Sequence, residues 1–163
     1  MKHLKAVKRH RLPTLSALVG ALLGLLASTL IDTHALGGEL PFSTLVRGSI
    51  FPTLFKSFGK EGLPLAFAVL ITLCVKHPLP ILLENAWRAF LFALSASCLA
   101  TESAPLIFAV YLLLHLAALL CHIAAGIATV DFQKERGFFP ILYFIGVLFL
   151  LTVIRLLAFT LLL

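Results

Sequence analysis

Charge is what this chain has least of. Lys, Arg, Asp and Glu make up 12% of its 163 residues, against about 25% in soluble domains. Acidic residues are the scarcest: seven Asp and Glu stand against thirteen Lys and Arg, for a net charge of +6. Asn85 is the only Asn and Trp87 the only Trp. The three cysteines, Cys74, Cys98 and Cys121, each fall in an apolar segment and make no Cys-x-x-Cys pair. Neither a disulfide framework nor a zinc site is therefore indicated, and a buried Cys acts as a small hydrophobe. The chain has no His-Glu-x-x-His, no phosphate loop, no Ser-His-Asp set and no acidic pair at catalytic spacing. An enzyme is not expected on those grounds. No internal repeat is evident, so nothing points to an inverted-repeat transporter.

What is present is apolar. Hydrophobic residues reach 61% and mean hydropathy is +1.09. A soluble fold could not hide that much apolar surface, so lipid is the expected solvent. The fold class expected is all-α, a polytopic integral membrane protein forming one transmembrane domain over residues 1–163. About five spans are expected, near 13–31, 63–77, 79–100, 104–130 and 138–163.

The stretch Ala104 to Val130 organises this reading. It holds no Asp, Glu, Lys or Arg, and as a helix it would be roughly 40 Å long. That exceeds the about 30 Å of bilayer hydrocarbon. Tyr111, His115, Ala118, His122 and Thr129 follow one another at spacings of four, three, four and seven, which places them on one face. A polar and small face of this kind is expected to point into a bundle.

Five basic residues, Lys2, Lys5, Lys8, Arg9 and Arg11, crowd the first eleven positions. Residues 1–12 are expected to be a basic tail on the inner side that contacts anionic lipid. No aromatic is interleaved with these charges, so nucleic acid is not an expected partner. A charged start before an apolar run also fits a signal peptide, but Thr33-His34-Ala35 is a poor cleavage site, and the first span is expected to be retained. Gly20-x-x-x-Gly24 within it is a small-residue face suited to close helix contact.

Residues 42–58 are apolar yet contain Arg47, Pro52 and Lys56. As a helix over 50–58, Phe51, Leu54, Phe55 and Phe58 share one face, with Thr53, Lys56 and Ser57 opposite. An interfacial or re-entrant segment is expected, with Arg47 and Lys56 among the headgroups; a sixth span is the alternative. With five spans and the N-terminus inside, the inner side holds Lys2, Lys5, Lys8, Arg9, Arg11, Lys76, Lys134 and Arg136. The outer side holds Arg47, Lys56 and Lys60. Eight basic residues against three is the bias that orients membrane proteins.

Ionisable groups at membrane depth are candidates for function. Glu84 and Arg88 are four apart and can pair along a helix; with Tyr111 they are candidates for an ion or proton path. His115 and His122 share a face about 10 Å apart along the axis, and neutral imidazole can ligate haem iron or relay protons. Two His so placed cannot both hold one iron axially, so a haem would need a second ligand from elsewhere, with His34 and His77 near span ends.

The eleven residues His122-Ile-Ala-Ala-Gly126-Ile-Ala-Thr-Val-Asp131-Phe132 resemble the haem-bearing helix of succinate dehydrogenase membrane-anchor subunits. Those carry a His, a Gly four later, and an Asp followed by an aromatic at the helix end. The resemblance implies His122 as a haem b ligand and Asp131-Phe132 near a quinone pocket. The Gly-to-Asp gap is two residues shorter here, which turns Asp131 by about 200°.

Three functions compete on these residues. The first is a non-catalytic accessory or structural subunit of a larger membrane complex, energy-transducing or secretory, with other membrane subunits as partners and no cofactor. The second is a haem b and quinone-binding anchor subunit of a respiratory complex. The third is a small channel or transporter. The basic N-terminus fits a bacterial inner membrane or a mitochondrial inner membrane, with the N-terminus inside.

Overall fold

A computed structural model describes residues 2–30, 59, 62–102, 105–132, 146, 147, 150 and 153. Among the described residues every regular element is helical: α1 (Lys2–Leu30), α2 (Leu63–Val75), α3 (Leu79–Glu102) and α4 (Pro105–Phe132). Arg11–Leu30 of α1 and Phe108–Asp131 of α4 are long and apolar enough to cross a bilayer. The 13 residues of α2 rise only about 20 Å. α3 has the length but carries Glu84, Asn85 and Arg88. The expected amphipathic segment 42–58, with Arg47 and Lys56, lies outside the described residues, as does most of 138–163. Val147 is described, and it joins the apolar core with Leu65, Val69, Ile81, Ala118 and Val130.

The basic segment differs from the expected tail. Helix α1 runs without interruption from Lys2 through Pro13 to Leu30. Pro13 is of a residue type favoured at the first helical position. Here it sits inside the helix, where its missing N–H frees the Arg9 carbonyl of its usual partner. Lys, Arg, Leu and Ala around it are good helix formers, and they carry the helix through. Lys2, Lys5, Lys8 and Arg9 therefore ride on the first turns of α1, and Arg11 is exposed.

The turn between α2 and α3 shows how local chemistry closes a hairpin. Lys76 ends α2 in the left-handed conformation, with φ 56° and ψ 28°. Pro78 accepts the first helical bond of α3 from Leu82 N–H at 3.1 Å. The Leu79 N–H donates to His77 Nδ1 at 3.2 Å, and the Ile81 N–H donates to Thr72 Oγ1 at 3.2 Å. Pro80 has no N–H to satisfy. The first-turn donors that a helix start leaves open are met by side chains of the preceding turn.

Helix α1 packs chiefly along α3, and glycine is what allows the approach. A Cβ on Gly20 would strike the Ala86 carbonyl, and one on Gly24 would strike the Phe90 carbonyl and stand 3.0 Å from Ala93 Cβ. Backbone contact of this closeness is the use small residues serve between membrane helices. Gly20 meets Ala86 and Gly24 meets Phe90, so four steps along α1 match four along α3 and the two helices run parallel. α4 runs back against α3, since α3 ends at Glu102, α4 starts at Pro105 and Asn85 meets Gly126.

Polarity across the bundle is turned outside in. Leu15, Leu18, Leu22 and Leu26 of α1, Phe67 and Leu70 of α2, and Leu113 and Leu120 of α4 are exposed. Thr72, Asn85, Ser95, His122 and Thr129 are buried.

Candidate functional site

The buried face of α4 carries the site. Tyr111, Ala118, His122 and Thr129 are buried and His115 is half-buried, so the face read from the spacing turns into the bundle. Its polar groups are largely tied to their own helix. His115 Nδ1–H donates to the Tyr111 carbonyl at 3.1 Å. Because a carbonyl only accepts, this fixes the proton on Nδ1. The His115 ring also stacks on Tyr111, with centroids 3.9 Å apart. Thr129 Oγ1 donates to the Ala125 carbonyl at 2.6 Å, a common use of Thr inside a helix.

Helix α3 brings the charges. Arg88 Nε donates to Glu84 Oε1 at 2.7 Å, with the side chains only 13% and 10% exposed. The pair expected from the spacing of four is thus formed, one turn apart on a helix of intermediate burial. Arg88 also lies close enough for its charge to act on His122. Trp87, next in sequence, points away: it is exposed and stacks on Phe90 at 5.4 Å. Glu84 and Arg88 are brought together, with His122 within reach of the Arg88 charge, whereas Tyr111 and His115 sit two to three turns further along α4.

Between these groups lies a residue the sequence reading passed over. Asn85 is fully buried, and neither its Nδ2 nor its Oδ1 has a protein partner; His122 Nδ1 is likewise buried and unpartnered. The Asn85 amide sits against Gly126, where a Cβ would strike Nδ2 and stand 3.3 Å from Pro13 Cβ. Pro13 is itself among the most deeply buried side chains. One residue from each of three helices meets here: Pro13 of α1, Asn85 of α3 and Gly126 of α4. An unsatisfied buried donor or acceptor costs about 1–3 kcal/mol. Three such atoms come to several kcal/mol, a large share of a folding stability of about 5–15 kcal/mol. The sequence signal was there in outline: the one Asn of the chain, inside a span, three residues from Arg88.

No group of three or more His, Cys, Asp or Glu able to hold a metal ion occurs among the described residues. Comparison with known protein families, with curated proteins and with solved structures finds no match to this chain.

Proposed function

We propose that this chain is a non-catalytic accessory or structural subunit of a larger membrane assembly. In this reading about five helices thread it through a bacterial or mitochondrial inner membrane, with the N-terminus inside. The observation that carries the membrane reading is the inverted polarity. Leucines line the outside of α1 while Asn85, His122 and Thr129 are enclosed. Water would strip such a bundle apart; hydrocarbon holds it, because every enclosed polar group would be worse off facing acyl chains. The accessory reading draws on how the polar side chains are used. Glu84 serves Arg88, His115 serves the Tyr111 carbonyl, Thr129 serves Ala125 and Thr72 serves Ile81. Three of these contacts stay within one helix and the fourth joins α2 to α3, so these side chains are used for structure.

The orientation proposed draws on the charge bias alone. The helix directions are consistent with it, since the N-terminal end of α1, Lys76 and Asp131 lie toward one end of the bundle.

The haem alternative meets a steric demand. An axial ligand must bring a ring nitrogen to within about 2 Å of the iron, and the His122 ring is only 2% exposed. Haem would have to displace what covers it. The channel alternative draws on the length of the polar face, which from Tyr111 to Thr129 covers roughly 27 Å, with Glu84 and Arg88 beside it.

Extraction in mild detergent from the native membrane tests the proposal. The expected result is co-purification with other membrane proteins at fixed ratio and no Soret absorption in haem-replete cells. A stable lone monomer with activity of its own overturns it. A Soret band abolished by His122→Ala would put the haem reading in its place.

A further inference from the structure

Three buried polar atoms lie where α3 meets α4. Asn85 offers the two N–H donors of Nδ2 and the acceptor Oδ1; His122 offers Nδ1. His122 and Gly126 are one turn apart on α4, about 5–6 Å between neighbouring positions on a face, and Gly126 touches Asn85. The amide and the imidazole do not bond each other directly, since all three atoms are without a partner. Whatever intervenes must give a proton to Oδ1 and take one from Nδ2. A halide cannot donate and an ammonium ion cannot accept. The packing is close at Gly126, where a Cβ would strike Asn85 Nδ2 and stand 3.3 Å from Pro13 Cβ. Water is a small molecule that both donates and accepts.

We propose that the α3–α4 seam is an internal water site, in which one or two water molecules bridge the Asn85 amide to His122 Nδ1. Buried water of this kind makes about three hydrogen bonds to otherwise unsatisfied groups and is part of the fold. The bridge ties α3 to α4 at the depth of the Glu84–Arg88 pair and gives His122 a contact with water that its 2% exposure would deny it. His115, whose Nδ1 is taken by the Tyr111 carbonyl, has no equivalent arrangement on that nitrogen. The site concerns one chain and does not depend on what that chain assembles with.

Water-edited solid-state NMR on the full chain, labelled with 15N-histidine and reconstituted in liposomes, tests this. His77 at the α2–α3 turn is the positive control, and His122→Phe assigns the signal. Magnetisation is expected to pass from water to His122 Nδ1, and the transfer should be lost in Asn85→Leu, which removes both amide atoms at similar volume. No transfer at His122 while His77 shows it overturns the proposal. Transfer that survives Asn85→Leu in folded protein also overturns it. Should that variant not fold, radiolytic footprinting of the unaltered chain decides: hydroxylation at His122 supports the site, and a silent His122 beside a labelled His77 sinks it.

Discussion

Arg88 and Glu84 show what a single side chain is worth in this bundle. Both are nearly enclosed and joined at 2.7 Å, so removing one strands the other. Arg88→Met is expected to destabilise by about 3–5 kcal/mol, because an unpaired buried charge remains. Adding Glu84→Gln to that variant should restore most of the loss, since the stranded charge is then gone. Unfolding in mixed detergent micelles, followed by circular dichroism, measures both. If the double variant is as unstable as the single one, a stranded Glu84 charge is not what destabilises Arg88→Met. A residue can also matter through its absence of bulk. Asn85, Gly126 and Pro13 each look ordinary alone; their meeting is a property of register between three helices, which no local pattern encodes. That is why the pair Glu84–Arg88 and the buried His122 could be read from spacing, while the orphaned amide beside them could not.

Two devices at the level of elements can be tested. Gly20 and Gly24 let α1 approach the α3 backbone, and the obstacle to a larger residue is a carbonyl rather than a flexible side chain. Gly20→Val should separate the helices and lower stability by more than about 2 kcal/mol, whereas Leu22→Val, on an exposed part of α1, should change it by less than about 0.5 kcal/mol. Equal effects at the two positions would remove the glycine contact from the account. At the other end of the hairpin, Lys76 holds a positive φ of 56° that costs a non-glycine residue roughly 1 kcal/mol. Lys76→Gly is expected to raise stability by about 0.5–1 kcal/mol in the same assay. The glycine face was legible because Gly-x-x-x-Gly is rare and local. Its partner was not, because alanines like Ala86 and Ala93 are spread through every apolar segment of this chain. The inward face of α4 was legible for the opposite reason: Tyr111, Ala118, His122 and Thr129 interrupt a nearly uniform run of leucine and alanine at helical spacing, so the period stands out. Residues 2–12, read as a basic tail, continue α1 as a helix ahead of the apolar stretch, because Lys, Arg, Leu and Ala are good helix formers.

For the whole molecule the directions of the helices make a prediction about sidedness. In a background lacking Cys74, Cys98 and Cys121, a membrane-impermeant thiol reagent applied from outside should label Glu102→Cys and spare Lys5→Cys and His77→Cys. Inverted vesicles should reverse the pattern. Labelling of His77 and Glu102 positions from one side would refute the antiparallel hairpin of α2 with α3 as a crossing arrangement. The parallel contact of α1 with α3 has a further consequence in time. The Ala86 that receives Gly20 leaves the ribosome about 65 residues later, which at about 5–20 residues per second is on the order of 3–13 s. During that interval the glycine stripe of α1 has no seat within its own chain. A nascent chain in this state is one that insertion chaperones could hold, and one whose exposed stripe could couple two unfinished copies if nothing held it.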